Sequence, residues 1–477
     1  MTGMKPMKRF YYRAYQTVFD LGSRVLPWRK PEIVSGAGST ARIPELLRSC
    51  GVKKVMIVSG KHTGAALVPP IRAQIEAAGI SAVHFDGVRA NPTISIIEQV
   101  RERYLAEGCD GFLAVGGGSP MDTAKAAAAR IVRPNRTVEQ MTGLFKVMHA
   151  LPPFIAVPTT AGSGSETTIA AVITNEKTHH KHAIMDLCLV PRFAVLDAVL
   201  TEDLPPATTA QTGMDALTHA VEAYVSIMAS DYTDGFALTA IKSVFNYLPR
   251  AYKNGAKDPE ARIKMADASC LAGIAFANAF LGVNHSLAHK LGGWHHIPHG
   301  TANALLFTEI CKYNAQRTPT KMGTFSQYQY PHAFERYVEI AEYCGMKGKN
   351  DQETFDNFIK ASEELKAAID IPASIHDYGI DEKAFMDGLD EMSENAFNDE
   401  CTGANPVYPL ISEIRELYLR AYWGKDYDAK VKAGIPAAEP QMFSNPFGSD
   451  YEVEMRGVEL PKPAAPEAGK KDEGKKK

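Results

Sequence analysis

The stretch FLAVGGGSPMDTAKAAAA, residues 112–129, connects a short apolar run to an alanine-rich segment through three consecutive glycines. It predicts a buried strand from Phe112 to Val115, a tight turn and then a helix. Glycine allows close approach of the backbone to a ligand, and the amide groups at a helix N-terminus attract phosphate. Position 121, where the third glycine of the standard dinucleotide fingerprint would fall, is methionine. The order of strand, glycine turn and helix still favours a nucleotide-binding α/β fold over a plain turn.

Short β-rich runs alternate with helical stretches between residues 31 and 204. Besides GFLAV (111–115), the runs are KVMIVS (54–59), AVHF (82–85), FIAVP (154–158) and FAVLD (193–197). Helical segments such as TISIIEQVRERYLAEG (93–108) separate the first of them. Right-handed crossovers and a mainly parallel sheet follow from this alternation. We therefore predict a doubly wound nucleotide-binding domain over residues 31–204.

The second half of the chain has a helical pattern. From residue 205 to residue 424 the β signal fades, and segments such as TGMDALTHAVEAYVSIM (212–228) and ISEIRELYLRAYW (411–423) have helical periodicity. This range is predicted to be an all-α domain.

The two ends differ in composition from the rest. Residues 1–30 are basic, with apolar residues at helical spacing, which fits a membrane-surface or targeting helix or, as we favour, a helix docked on the body of the protein or on a second subunit. Residues 425–477 form a C-terminal extension whose lysine-rich end predicts a disordered tail.

Composition restricts the class of partner. The formal net charge is −3 over 477 residues, so no basic excess favours nucleic acid. Seven scattered cysteines without C-x-x-C spacing fit a reducing cytoplasm. No stretch reaches the roughly 18 apolar residues of a transmembrane helix. Small molecules are the expected partners.

A second loop of small residues, VPTTAGSGSETT (157–168), also follows a predicted strand. It offers the hydroxyl groups of Thr159, Thr160, Ser163 and Thr168. Ligands of open α/β sheets bind at the carboxyl ends of the strands, where both loops are expected.

Histidines and one aspartate in the second half suggest a metal site. Asp215 and His219 are four residues apart on a predicted helix and share a face. His285 and His289 repeat this spacing, and His299 follows in a predicted loop, HHIPHG (295–300). Without Glu at position 286, the pattern is not the H-E-x-x-H motif of zinc proteases. Carboxylate and imidazole donors suit Fe(II), Zn(II), Co(II) or Ni(II).

Four long motifs, in this order, resemble the iron-dependent (group III) alcohol dehydrogenases. They are AVGGGSPMDTAKA (114–126), PTTAGSGSE (158–166), GMDALTHAVEAYVS (213–226) and NHSLAHKLGGWHHIPHG (284–300). The resemblance covers about residues 31–424. It implies a Rossmann-like N-terminal domain and an all-α C-terminal domain, the dehydroquinate synthase-like architecture, with NAD(P) and one divalent metal in the cleft between them. It also implies a homodimer or larger homo-oligomer.

The resemblance carries specific roles to residues of this chain. The metal ligands fall on Asp215, His219, His285 and His299, and His289 is left to act in proton transfer. The residues implied to bind the cofactor are Asn91, Gly117, Gly118, Ser119, Asp122, Thr159, Ser163, Thr168 and Lys181. Thr160 of the second loop and Gly60 after the KVMIVS run are also expected to contact it.

One position departs from the NAD-specific members of the family. An acid that would hold the adenosine ribose is replaced by Gly60, followed by Lys61. Because an acid repels the 2'-phosphate of NADP, its absence favours NADP(H) over NAD(H) or allows both. Fe(II) is the expected metal, with zinc as the alternative.

The expected function is interconversion of primary alcohols and aldehydes. The alternatives are a glycerol dehydrogenase-like enzyme, a transhydrogenase, a dehydroquinate synthase-like lyase and a non-enzymatic scaffold. Ala170, Phe276 and Leu281 are expected to shape the substrate pocket.

Overall fold

The computed structural model describes residues 29–176, 181–316 and 332–432. The predicted N-terminal amphipathic segment, apart from its last two residues, and the predicted lysine-rich tail lie outside these ranges. The strands are β1 (Glu32–Ser35), β2 (Lys54–Gly60), β3 (Ser81–Val88), β4 (Gly111–Gly116), β5 (Gly143–Leu144), β6 (Phe154–Pro158), β7 (Ala170–Thr174), β8 (Lys181–Met185) and β9 (Phe193–Leu196). The α-helices are Ile43–Ser49, Lys61–Ala77, Ile94–Glu107, Gly118–Val132, Val138–Met141, Pro206–Val225, Asp231–Asn254, Pro259–Ala279, Val283–His295, His299–Asn314, Ala333–Tyr343, Asp351–Ala368, Glu382–Phe397, Ile411–Trp423 and Tyr427–Lys432.

Six of the strands form one parallel sheet in the order β1-β9-β6-β4-β2-β3. Alternate residues of β4 face opposite sides: Phe112 and Ala114 belong to one hydrophobic cluster, and Leu113 and Val115 belong to another. A sheet covered on both faces requires continuous apolar strands. This requirement explains why the predicted strand runs were recognisable, and the parallel α/β fold is confirmed.

Four strands were not predicted. Strand β1 lies at the edge of the large sheet, and β5, β8 and β7 form a separate three-stranded sheet. These strands have two to five residues, and each contains partly or fully exposed positions. Short, half-exposed strands lack the continuous apolar signal that identifies a buried strand.

The order in which strands are added to the sheet reverses beside the glycine turn. From β2 the chain adds β3 on one side and β4 on the other, and β6 and β9 then continue outward from β4. Ligands of open α/β sheets bind at such a switch point, beyond the carboxyl ends of the strands. Gly116 at the end of β4 pairs with Pro158 at the end of β6, and the Thr159 amide donates to the Gly116 carbonyl at 2.9 Å. The two loops of small residues therefore leave the sheet side by side.

Helices build the remainder of the described chain, as predicted. Pro206–Val225 is buried along most of its length and packs against Asp231–Asn254, Pro259–Ala279 and His299–Asn314. Among the described helices, none is by itself long and apolar enough to cross a membrane, and one sharply bent pair, Pro259–Ala279 with Val283–His295, meets the criteria only when taken together.

Candidate metal centre and dinucleotide cleft

One carboxylate and three imidazoles converge between three helices. Asp215 and His219 lie one turn apart on Pro206–Val225, His285 lies on Val283–His295, and His299 is the first residue of His299–Asn314. One donor atom of each residue lies within 4.8 Å of the donor atoms of the other three. The predicted side chains are thus brought together although 84 positions separate the first from the last.

The structure corrects the prediction that His299 lies in a loop, because it begins a helix. Pro298 is extended (φ −54°, ψ 138°), and its carbonyl accepts a hydrogen bond from the Ala302 amide at 2.9 Å. The absence of an amide hydrogen on proline costs nothing immediately before a helix. At Gly300, a Cβ atom would collide with the Gln211 carbonyl, so glycine permits the close approach that places His299 beside Asp215.

Hydrogen bonds fix the orientation of two of the imidazoles. Nδ1 of His219 lies 3.2 Å from the Gly162 carbonyl, to which it must donate. Nδ1 of His285 lies 2.5 Å from a carboxylate oxygen of Glu222. In both rings Nε2 is therefore the nitrogen that remains for a metal, the arrangement typical of ligating histidines.

The ionisation of these groups suits a divalent cation. Burial lowers the pKa of His285 and of His299 well below the usual histidine value, so both imidazoles are neutral. Burial alone would raise the pKa of Asp215, but the neighbouring imidazoles and a hydrogen bond from Asn303 hold it below its usual value. A buried carboxylate with three imidazoles offers a negative charge and four donor atoms, which fit Fe(II) or Zn(II).

Three residues of this centre were not recognised from the sequence. Glu222 holds His285, and the amide nitrogen of Asn303 donates to Asp215 Oδ1 at 2.8 Å. Asn284 in turn donates to Asn303 Oδ1 at 3.0 Å and so fixes the orientation of that amide. The spacing contained a signal for two of them, because Glu222 follows His219 by three residues and Asn303 follows His299 by four, and both pairs share a helix face.

His289 lies beside the four predicted ligands. Its ring stacks on that of His299, with 5.3 Å between the centroids. Its Nδ1 lies 3.1 Å from Asp399 Oδ2, and the same oxygen accepts from Lys290 Nζ at 2.8 Å. Burial would raise the pKa of Asp399, but the hydrogen bonds and charges of these two partners hold it far below its usual value. No sequence pattern linked Asp399 to His289, because 110 positions separate them.

The glycine turn packs tightly against the second loop. A Cβ atom at Gly117 would lie 3.1 Å from the Thr160 hydroxyl, and one at Gly118 would lie 3.2 Å from the Ser163 hydroxyl. The start of the helix Gly118–Val132 therefore lies against the hydroxyl groups of the second loop, an arrangement suited to phosphate.

A buried lysine that was not predicted connects the helix Gly118–Val132 to the second loop. The Lys125 ammonium donates to the carbonyls of Ser165, Thr168 and Ala170 at 2.6 to 3.0 Å. Asp122 accepts from the Ser165 hydroxyl and from a backbone amide, so both of its oxygens are used within the protein. Burial lowers the pKa of Lys125 to about 8 and raises that of Asp122 to about 6.

A cavity of about 380 Å³ joins the two halves of the site. Its lining includes the four converging metal donors and His289. Among the predicted cofactor residues it includes Asn91, Gly118, Ser119, Asp122, Ser163, Thr168 and Lys181. The predicted pocket residues Ala170, Phe276 and Leu281 also line it.

Four predicted cofactor residues do not line this cavity. Gly117, Thr159 and Thr160 belong to the two loops, where Gly117 lies against Thr160 and the Thr159 amide donates to the Gly116 carbonyl. Gly60 lies at the end of β2, where it pairs with Val88 of β3 and a Cβ atom would lie 3.3 Å from the Val88 carbonyl.

Family models match both halves of the chain. One described as iron-containing alcohol dehydrogenase matches residues 30–198, and one described as the C-terminal part of the Fe-containing alcohol dehydrogenase family matches residues 209–422.

Curated relatives agree with the family models. The bifunctional aldehyde-alcohol dehydrogenase of Escherichia coli is 43% identical over 403 residues, which are 82% of this chain and 45% of that protein. The chain thus spans about half the length of the bifunctional relatives. The NADPH-dependent butanol dehydrogenase of Clostridium saccharobutylicum is 36% identical over 401 residues, 83% of this chain and 98% of that enzyme.

Solved structures share the fold. A 1,3-propanediol oxidoreductase superposes with a TM-score of 0.77 at 33% identity, covering 84% of this chain and all of the other. The alcohol dehydrogenase of Oenococcus oeni also gives a TM-score of 0.77, at 35% identity, covering 83% of this chain and all of the other.

Proposed function

This chain belongs to the iron-containing alcohol dehydrogenase family, and we propose that it interconverts primary alcohols and aldehydes by hydride transfer with a nicotinamide dinucleotide. One observation carries the proposal: a carboxylate and three imidazoles converge on the same cavity that the glycine turn at Gly118 and Ser119 lines. Hydride transfer needs both parts, because the cofactor and the reacting carbon must lie close together.

The proposed metal ligands are Asp215, His219, His285 and His299. Fe(II) is the metal we favour, with zinc as the alternative. When bound, a divalent ion acts as a Lewis acid that stabilises negative charge on a substrate oxygen. Nδ1 of His219 and of His285 is already engaged, so these two residues are prepared to bind the ion through Nε2.

The two loops are proposed to hold the dinucleotide. Gly117, Gly118 and Ser119 would bind its phosphates at the start of the helix, and Asp122, which lines the cavity, is proposed as a further cofactor-binding residue. The hydroxyl residues Thr159, Thr160, Ser163 and Thr168 would contact the cofactor from the second loop, as would Asn91 and Lys181 from the rim of the cavity. Asn91 has φ +56°, a conformation that asparagine tolerates better than most residues.

NADP(H) is the cofactor we favour, with NAD(H) as the alternative. Gly60 offers no carboxylate to repel a 2'-phosphate. The NADPH dependence named for the butanol dehydrogenase of Clostridium saccharobutylicum is consistent with this choice.

His289 is the proposed catalytic residue. In alcohol oxidation its Nε2 would accept the hydroxyl proton, directly or through the cofactor ribose, and pass it to solvent. The bound dinucleotide would supply the hydride acceptor for this oxidation. Aldehyde reduction is the reverse, with the proton supplied through His289.

We further propose a homodimer or larger homo-oligomer located in the cytoplasm. All seven cysteines lie in the described ranges and are free, which fits a reducing compartment. Mass determination in solution tests the assembly.

The function is tested with protein purified without oxygen. Elemental analysis is followed by a panel of primary alcohols and aldehydes with NADH, NADPH and their oxidised forms. We expect about one metal ion per chain and net change in nicotinamide absorbance. Metal-bearing protein that converts a substrate without net change in the cofactor would instead indicate a lyase or a transhydrogenase.

A further inference from the structure

We propose that Asp399 is a positioning residue for His289, fixing the tautomer in which Nδ1 carries the proton and Nε2 is the free base in the cavity. The inference rests on the proposed function, in which His289 moves a proton. It starts from the 3.1 Å separation between Asp399 Oδ2 and His289 Nδ1. An ionised carboxylate can only accept, so the ring nitrogen facing it must donate.

The position of Asp399 is itself fixed. Its Oδ1 accepts from the Cys401 amide at 3.0 Å and caps the short 3-10 helix Glu400–Ala404. Two further bonds fasten this turn to Val283–His295, the helix that carries His289. Thr402 donates to the Ser286 hydroxyl at 2.8 Å, and the Val283 amide donates to the Asn405 side chain at 3.1 Å.

Lys290 stabilises the ionised form of the Asp399 carboxylate, which can only accept hydrogen bonds. Its ammonium lies 2.8 Å from the oxygen that faces His289, and the Asp399 side chain is only 10% exposed. A poorly hydrated carboxylate requires a partner charge. Lys290 supplies this charge and leaves Nδ1 of His289 free to donate to the same carboxylate oxygen. The imidazole is held from its other side by the stacked ring of His299, so the hydrogen bond to Asp399 decides which nitrogen is protonated.

The test is Asp399→Asn, which keeps the shape of the side chain but lets an NH₂ group face Nδ1. We expect kcat to fall on the order of 100-fold, because part of the acid–base contribution is lost. The dissociation constant of the dinucleotide and the metal content are expected to stay at the wild-type values. Asp381→Asn is the matched control, because Asp381 also caps a helix, through the Ala384 backbone amide, and does not line the cavity.

A double-mutant cycle with His289→Gln distinguishes positioning from a general structural role. If Asp399 acts through His289, Asp399→Asn causes no further loss of kcat in the His289→Gln background. Equal losses in both backgrounds, or wild-type kcat in Asp399→Asn, would overturn the inference. Absence of turnover in the wild-type protein would contradict the proposed function instead.

A readout independent of turnover completes the design. Histidine-ring ¹⁵N spectra identify the His289 signals by their loss in His289→Gln. We expect the Nδ1-protonated tautomer in the wild-type protein and a changed tautomer ratio in Asp399→Asn. An Nε2-protonated ring in the wild-type protein, or an unchanged ratio in the variant, would overturn the inference even if no substrate were found.

Discussion

A carboxylate oxygen of Glu222 lies 2.5 Å from Nδ1 of His285, and both side chains are almost completely buried. The other Glu222 oxygen accepts from the backbone amide of Asn284 at 2.7 Å, so the carboxylate itself cannot rotate freely. Outer partners of this kind orient a ligating imidazole and increase its basicity.

Glu222→Gln is therefore expected to weaken metal binding about 10- to 100-fold. The measurement is competition with a chelator of known affinity. The matched control is Glu339→Gln, which removes a carboxylate that accepts from Tyr224 on the same helix but lies outside the metal centre. An unchanged metal affinity in both Glu222→Gln and Glu222→Ala would show that Glu222 does not orient His285.

Loss of a direct ligand should be more severe than loss of its partner. In His285→Ala we expect loss of tight metal binding and of most turnover. Added metal should raise the melting temperature of the wild-type protein but not that of the variant, since a ligand stabilises only the state that binds it. His149→Ala, which changes an exposed histidine that does not line the cavity, should behave as wild type. Full activity in protein freed of metal would refute the proposed function.

Cofactor preference is testable at Gly60. Gly60→Asp is expected to raise the KM for NADPH roughly 10-fold relative to NADH, because the new carboxylate repels the 2'-phosphate. Gly60→Ala separates this charge effect from contact of the new Cβ atom with the Val88 carbonyl. Equal effects of the two substitutions on both cofactors would argue against a 2'-phosphate near this position.

Glu166 gives a pH-dependent prediction. It is a buried residue of the second loop itself, and burial raises its pKa from 4.5 to about 7. The folded state therefore retains the proton to higher pH than the unfolded state, and this stabilising contribution is lost as the pH rises from about 4.5 towards 7.

Glu166→Gln should remove this dependence, because glutamine stays neutral. Relative to the wild-type protein, the free energy of unfolding of the variant should increase by on the order of 2 kcal/mol between pH 5 and pH 8. Denaturant titrations at the two pH values measure it. A constant difference between variant and wild type would mean that Glu166 ionises at an ordinary pH in the folded protein.

Prediction from sequence succeeded best for structural elements and residue pairs that depend on neighbouring positions in the chain. The strand and helix around Gly117, and the turn-spaced pair Asp215 and His219, are determined by neighbours in the chain. It failed for His299, whose helix start depends on a close approach to Gln211, and for the small sheet of β5, β7 and β8, whose half-exposed strands carry little apolar signal. In the sequence Lys125 is an ordinary lysine of a predicted helix, because its three carbonyl partners lie at least 40 positions away in the chain.

By itself the sequence determined which groups were available: a glycine turn for phosphate, hydroxyl-bearing residues beside it, and a carboxylate with imidazoles at helical spacing. Only the tertiary structure decided which partners hold them. Glu222 faces His285 and Asp399 faces His289 because separate helices pack against one another, and orientation across such contacts is set by long-range packing that local periodicity does not encode.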